Sequence, residues 1–419
     1  MQDGEKYVII KYLYEKLRLW VFVTAESEKK YMSEAYLSRG VSAEKTDVHN
    51  AVKTLDKGVF KGAFCTLMPD PTGDEEYCAA MHADGAGTKS SLAYIKFNET
   101  GDYAAFFDIA QDSMVMNLDD LLCVGATEGF IMSNTIGRNA HRVDGKAIAS
   151  VIKGYSAFVE KMRKYGVDIT MCGGETADVG DLVQTLIVDS TFFVRMKRDH
   201  VINCDNIKAG DVIVGFASSG QAVYEDKYNA GMGSNGLTAA RHLLLSHEYA
   251  AKYPETYSNT IPDAQVYCGS YKFTDILPGT NVTVGDAILS PTRTYAPIVK
   301  EILEAKREAV HGMVHCTGGG QVKCKNFGIG LHYIKDNLFD VPPLFKAIAE
   351  NSDVATAEMY RIFNMGHRLE VFCSPEDADF MIKTAEKYGV EAKIVGRVEA
   401  SDTGANKVTI RHNGEEFNY

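Results

Sequence analysis

A short apolar run, Tyr77-Cys78-Ala79-Ala80-Met81, leads directly into His82-Ala83-Asp84-Gly85-Ala86-Gly87-Thr88-Lys89. The run reads as a buried strand, and its continuation limits what the surrounding chain can be. Two glycines let backbone approach an anion and turn N–H groups toward it, and a lysine adds a point charge. Asp84 can hold a Mg2+ that bridges phosphate oxygens. The spacing is not that of a P-loop, which needs four residues between its glycines and an immediate Gly-Lys-Ser/Thr. One such loop is equally well a surface turn. The phosphate-binding reading gains weight because the chain repeats the device.

Strand and helix signals alternate through most of the 419 residues, predicting mixed α/β layers. Ile148, Val151, Ile152, Tyr155, Phe158, Val159 and Met162 recur at helical spacing and predict a long amphipathic helix ending near Gly166. Residues 106–124 are a second helix-like run. Residues 167–172 read as a buried strand closed by Gly173-Gly174, and 182–196 as a strand whose apolar run Asp189 interrupts. The polar, turn-rich stretch 203–210 marks a boundary. Beyond it come strands near 211–217, 310–315, 368–373 and 392–395, and helices near 237–251 and 295–306; residues 221–232 look like a loop insertion. Two domains follow, 32–205 and 206–419, with residues 1–31 as an extension ahead of Met32. Residues 17–25 resemble a short signal core, but Asp3, Glu5 and Glu15 make a poor leader.

The net charge of −12 excludes a general nucleic-acid binder, which would show a basic face. Nine scattered cysteines without a Cys-x-x-Cys pair fit reduced thiols in a cytoplasmic protein. No apolar run is long enough to span a bilayer, so no membrane partner is expected.

Four further stretches join the first loop. Asp119-Asp120 closes the helix-like run and reads either as solvated charge or as Mg2+ ligands. Gly173-Gly174-Glu175-Thr176-Ala177-Asp178 follows a strand, and fits a nucleotide and metal site or a plain glycine turn. Gly233-Ser234-Asn235-Gly236 opens a helix, as an anion site or as simple capping. His315-Cys316-Thr317-Gly318-Gly319-Gly320 is a third strand-to-glycine junction, in which His315 is an acid–base group, a phosphate donor or a structural residue. Together they point to an enzyme handling ATP–Mg2+ and a second phosphorylated ligand.

From about Tyr36 to Val398 the sequence resembles the phosphoribosylformylglycinamidine cyclo-ligases. The resemblance is carried by Gly40-Val41, Asp84-Gly85-Ala86-Gly87-Thr88-Lys89, Asp120-x4-Gly125-Ala126 and Gly173-Gly174-Glu175-Thr176-Ala177. It continues through Ser218-Ser219-Gly220, Ser234-Asn235-Gly236, Ser290-Pro291-Thr292-Arg293 with Tyr295, and Thr317-Gly318-Gly319-Gly320. Glu358-Met359-Tyr360-Arg361-Ile362-Phe363-Asn364-Met365-Gly366 is the most particular. The resemblance implies a two-domain ATP-binding synthetase fold, with an N-terminal ATP-binding and dimerisation domain whose sheets form a barrel-like centre in a homodimer. It also implies ring closure of formylglycinamidine ribonucleotide after ATP phosphorylates its formyl amide oxygen, with ATP and Mg2+ as cofactors and K+ as a further candidate ion.

On that resemblance Asp84, Asp120 and Glu175 are the expected Mg2+ ligands. Gly85, Gly87, Thr88, Lys89, Gly173, Gly174 and Thr176 are expected at the nucleotide. Ser234, Asn235, Gly236, Thr317, Gly318, Gly319 and Asn364 are expected at the ribonucleotide. Asp84, Lys89 and His315 are the expected catalytic groups, with His315 transferring protons. The chain departs from the family pattern in four places. Glu128 replaces the proline of Gly-Ala-x-Pro, and Gly233 stands where a histidine usually precedes Ser-Asn-Gly. Arg368 replaces the second glycine after Phe-Asn-x-Gly, and Asp119 stands where asparagine is common. A related ATP-dependent enzyme with another substrate, such as a selenophosphate synthetase or thiamine-phosphate kinase, and a degenerate nucleotide-binding scaffold are the alternatives.

Overall fold

The computed structural model describes residues 55–419 together with Arg39 and Ala51. The expected extension 1–31, the start of the first domain and Gly40-Val41 lie outside the described residues.

The chain is mixed α/β and builds two sheets. The first holds β1 (Met68–Pro69), β2 (Tyr77–Gly85), β3 (Phe130–Arg138), β4 (Ile169–Asp178) and β5 (Leu186–Lys197), in the order β1-β2-β5-β3-β4. Only β3 and β4 pair in parallel, and the long helix that the crossover requires lies between them. Among the described residues three long helices belong to this half: α1 (Lys89–Thr100), α2 (Ile109–Leu122) and α3 (Gly145–Lys164). The helical spacing at 148–162 is the buried stripe of α3. Asp144 caps it by accepting from the Lys146 and Ala147 N–H groups at 3.0 Å, and basic side chains crowd its last turn.

Strict alternation in β5 buries Leu186, Val188, Phe192, Val194 and Met196 under the helices. Among the described residues, the opposite face of this sheet is largely uncovered. Met81, Phe193 and Ile131 lie side by side on it, and Met81 is 75% exposed and Ile131 41%.

The second sheet is formed by β6 (Val212–Ala217), β7 (Gly312–His315), β8 (Leu331–Lys335), β9 (His367–Cys373), β10 (Ala392–Ala400), β11 (Lys407–His412) and β12 (Glu415–Asn418). Its order is β12-β11-β8-β10-β6-β9-β7. Around it lie α4 (Leu237–Leu244), α5 (Ala296–Lys306), α6 (Pro343–Glu350), α7 (Thr356–Ile362) and α8 (Ala378–Lys387).

Three sequence expectations are corrected. Strand β2 does not stop at Met81; it runs to Gly85, so His82 and Asp84 are strand residues. Strand β4 does not close at Gly173-Gly174 but passes through them to Asp178. The register slips here, Met132 pairing with Met171 and Asn134 with Gly174, so β4 carries the extra residue of a bulge at Cys172-Gly173, and a Cβ on Gly174 would fall 2.2 Å from Asn134 Oδ1. The glycines thus serve strand pairing. The helix expected over 237–251 breaks after Leu244, where Leu245 and Ser246 leave it to bridge Tyr271 and Gly269.

The halves are joined by buried polar contacts along α2. Asp112 and Asp119 lie two turns apart on the helix and both face the second half. Asp112 takes the Lys89 ammonium at 2.6 Å and both the N–H and hydroxyl of Thr292, at 2.8 and 2.6 Å. Asp119 accepts the Thr294 hydroxyl at 2.6 Å and the Tyr295 N–H at 3.2 Å. The Ser-Pro-Thr-Arg stretch is therefore a fastener between the halves. Its Arg293 is fully buried on the Ala217 and Ser219 carbonyls and on both oxygens of Glu225.

Candidate active site

The end of β2 carries the site. Residues two apart in a strand face the same way, so His82 and Asp84 both point to the side covered by α2. There Asp120, in the last turn of α2, meets both halves. Its Oδ2 lies 3.3 Å from His82 Nε2 and its Oδ1 2.7 Å from His315 Nδ1. Asp119 and Asp120 are not solvated charges: both are buried.

Hydrogen-bond chemistry fixes the two histidines differently. Arg368 Nε donates to His315 Nε2 at 3.1 Å, and a guanidinium never accepts. His315 Nε2 is therefore bare, and Nδ1 carries the proton given to Asp120. Burial lowers His315 to about 4, against the pull of Asp120. At His82, Asn117 Oδ1 lies 2.9 Å from Nδ1, while the two N–H groups of the Asn117 amide nitrogen are shared among three carbonyls within 3.2 Å. Both His82 nitrogens thus face acceptors. Burial pushes His82 down, but the Asp120 carboxylate outweighs it and the pKa rises. The same two histidines hold Asp120 well below the usual carboxylate range despite its burial. Asp84 stays reachable from solvent, and among the described residues only its Oδ1 is engaged, by the Gly85 N–H at 2.7 Å. The protein crowded around its carboxyl, and the Asp120 charge, push its pKa up.

Beyond β2, Gly87 takes φ +56°, and a Cβ there would meet nothing within 4 Å, so the backbone faces open space. Thr88 stands before α1, its hydroxyl 3.2 Å from that of Thr238 on α4. Gly87 and Thr88 line a cleft of about 840 Å³ with Arg142, Gln184, Arg241 and Tyr257. A helix start flanked by arginines suits an anion.

The second half brings its loops to the same place. Lys323 donates to the Thr317 hydroxyl at 2.5 Å and lies 4.5 Å over the Phe64 ring. Its charge reaches both Asp84 and Asp120. Asn235 is the nearest group to the space beside Gly318, and its Oδ1 is buried without a hydrogen-bond partner. Ser234 bonds Thr292 at 3.0 Å. Gly236, at φ +76°, packs under Phe363 where a Cβ would stand 2.6 Å from the ring.

The structure therefore brings together Asp84, Asp120, Gly85, Gly87, Thr88, Ser234, Asn235, Gly236 and Thr317 to Gly319, and sets the other expected residues elsewhere. Lys89 is fully buried on Asp112 and the Ser290 carbonyl and presents no ammonium to a phosphate. His315 is equally buried, with both ring nitrogens taken. Asn364 bonds Ser218, Gly366, Gly231 and Met232 and holds loops together. Gly173, Gly174, Glu175 and Thr176 lie on edge strand β4. The register Gly85–Asp189–Thr135–Glu175 crosses three strand spacings. Glu175 is thus roughly 14 Å from Gly85 in its own chain.

For a Mg2+ ion, Asp84 fits, with its open carboxylate oxygen. Each Asp120 oxygen already accepts from a histidine, and Glu175 lies across the sheet from Asp84. The residues that sequence reading passed over are His82, Lys323 and Asp189. The carboxyl of Asp189 sits where a Cβ on Gly85 would be, 1.7 Å from its Oδ1. The two-residue spacing of His82 and Asp84 was a signal for the first; only folding reveals the others.

Two α/β halves meeting at this centre define the class. The AIR synthase related protein N-terminal domain matches residues 61–194 and the C-terminal domain residues 208–408. Phosphoribosylformylglycinamidine cyclo-ligases are close in sequence. That of Methanocaldococcus jannaschii is 30% identical over 338 residues, 80% of this chain and 82% of its own length. That of Thermococcus gammatolerans is 32% identical over 76% of this chain and 78% of its own, and that of Methanococcus vannielii 28% over 88% and 90%. The chain belongs to the phosphoribosylformylglycinamidine cyclo-ligase family.

Proposed function

We propose that the protein closes the imidazole ring of aminoimidazole ribonucleotide from formylglycinamidine ribonucleotide, with ATP giving ADP and phosphate, in purine biosynthesis. The observation that carries this is the meeting of the open backbone at Gly87 and Thr88, the Asp84–His82–Asp120 centre and the Asn235 Oδ1, which has no partner among the described residues, in a member of this family.

An amide oxygen is a poor leaving group. Transfer of the γ-phosphoryl group onto it makes it a good one, and that transfer depends mainly on positioning and charge. The Gly87 and Thr88 backbone and the start of α1 receive the ATP phosphates. Asp84 would hold Mg2+, which when bound neutralises phosphate charge. No residue set is assigned to K+. Lys323 takes the cationic role expected of Lys89. The Ser234–Gly236 and Thr317–Gly319 loops hold the ribonucleotide, and Asn235 Oδ1 accepts from its amidine N–H. The amidine nitrogen then attacks the activated carbon, and phosphate leaves with the former amide oxygen. Holding that nitrogen against the carbon is an orientation effect. His82, between Asn117 and Asp120 and beside Asp84, takes the proton-carrying role in place of buried His315. Substrate-dependent ADP release, with a ribonucleotide product lighter by one water, is the expected assay result. ADP release unaffected by the ribonucleotide would reject the reading.

We further assign the bare sheet face to a second copy of the chain, making a homodimer. Exposed Met81, Ile131 and Ile187 support this, because apolar side chains aligned on an uncovered sheet face need a partner. The wild type is expected to sediment as a dimer and Met81→Arg/Ile131→Arg as a monomer; a monomeric wild type refutes the assignment. Nine free thiols fit the cytoplasm.

A further inference from the structure

Asp119, Gly233 and Arg368, where the resemblance leads one to expect asparagine, histidine and glycine, are far apart in sequence and meet in the fold. Arg368 comes from β9 and is 2% exposed. Its Nε bonds His315 Nε2, its Nη2 donates to the Arg293 carbonyl and lies 3.9 Å from Asp119 Oδ2, and its guanidinium sits 5.6 Å from the Tyr295 ring centre. Gly233 has φ +70°, and a Cβ there would stand 3.0 Å from Arg368 Nη1 and 3.5 Å from Cδ. A larger side chain at 233 and the guanidinium thus compete for one space. A buried guanidinium also needs acceptors and a counter-charge, and an asparagine at 119 would supply no charge.

We infer that Asp119, Gly233 and Arg368 are one compensating unit, in which a guanidinium from β9 takes the place of a side chain on the 233 loop, and that Arg368 is a positioning residue for the active centre. It acts through His315. By donating to Nε2 it leaves the imidazole one tautomer, with Nδ1–H aimed at Asp120 Oδ1, and so fixes the carboxylate that His82 also uses. Lysine cannot replace it, because the planar fork is what reaches His315, Arg293 and the Asp119 side together.

The inference does not need the proposed reaction, since two readouts use the unliganded protein. In the 15N spectrum of the full-length wild type, His315 Nε2 is expected as a bare, hydrogen-bond-accepting nitrogen. Arg368→Lys, which keeps the charge, is expected to fold and to move that signal. A protonated Nε2 in the wild type, or an unmoved signal in Arg368→Lys, overturns the positioning role. The coupling is read in a mutant cycle. Gly233→His and Arg368→Gly are each expected to lower the melting temperature, and Asp119→Asn/Gly233→His/Arg368→Gly to recover most of the loss. With formylglycinamidine ribonucleotide as substrate, each single change is expected to lower kcat by about tenfold or more, with KM little altered, and the triple change to restore it. Losses that simply add in the triple variant overturn the unit. A wild type inactive on that substrate would reject the reaction while leaving the spectral and melting tests in force.

Discussion

Lys89→Met is expected to destabilise the protein by about 3–5 kcal/mol, because it leaves Asp112 buried and ionised without its partner. The lysine is fully buried, and its ammonium is shared by Asp112 and the Ser290 carbonyl. Burial lowers the Lys89 pKa and raises that of Asp112, so each charge is tolerated only beside the other. Denaturant titration measures the loss. Lys89→Met/Asp112→Leu is expected to recover much of it, since replacing a whole buried pair by apolar groups is often neutral. A lysine serving ATP phosphates would behave differently. Its loss would raise KM for ATP and leave stability unchanged, and that result would return Lys89 to the active site.

Asp84→Asn is expected to lower kcat by about 10²–10³-fold, the scale of removing one group that meets developing charge. The substitution keeps shape and keeps an acceptor for the Gly85 N–H, so the melting temperature is expected to hold. Asp120→Asn is expected to lose comparable activity by another route. His82 and His315 use different Asp120 oxygens, and the NH2 that replaces one of them cannot accept, so the two histidines lose their common anchor. Steady-state kinetics beside thermal melts separates the two routes: Asp84→Asn leaves the fold untouched, and Asp120→Asn disturbs both halves. Full activity in Asp84→Asn would remove the metal-holding and phosphate-neutralising role from that residue.

The elements most legible in the sequence are those whose periodicity is set by a single covered face. The helical stripe of α3 and the alternation of β5 are of this kind, because both pack one side on the same core. Strand β4 was misread at its glycines, since glycine at a bulge and glycine at a phosphate loop look alike in one dimension. Lys89 follows a glycine pair as a phosphate-binding lysine would. Its true partner, Asp112, lies 23 positions away and is brought to it by the packing of α2. The surroundings of His315 are hidden in the sequence for the reverse reason. Its strand-to-glycine position suggested access, but Asp120 and Arg368 close over both its nitrogens. His82 was within reach of sequence reasoning, because a residue two before Asp84 on the same strand must share its face. Lys323 was not, because it reaches Asp84 and Asp120 from the 3-10 helical stretch Gly320–Asn326 of the other half.

The central claim is that phosphoryl transfer to the formyl amide oxygen drives ring closure, and oxygen tracing tests it most directly. Formylglycinamidine ribonucleotide carrying 18O in its formyl group would be turned over by the purified protein with Mg2+–ATP. Mass spectrometry would then read the inorganic phosphate and the ribonucleotide. The label is expected in inorganic phosphate, one atom per molecule released, with unlabelled aminoimidazole ribonucleotide as product. Unlabelled phosphate from a substrate that still closes its ring, or no turnover of the ribonucleotide at all, would contradict the account.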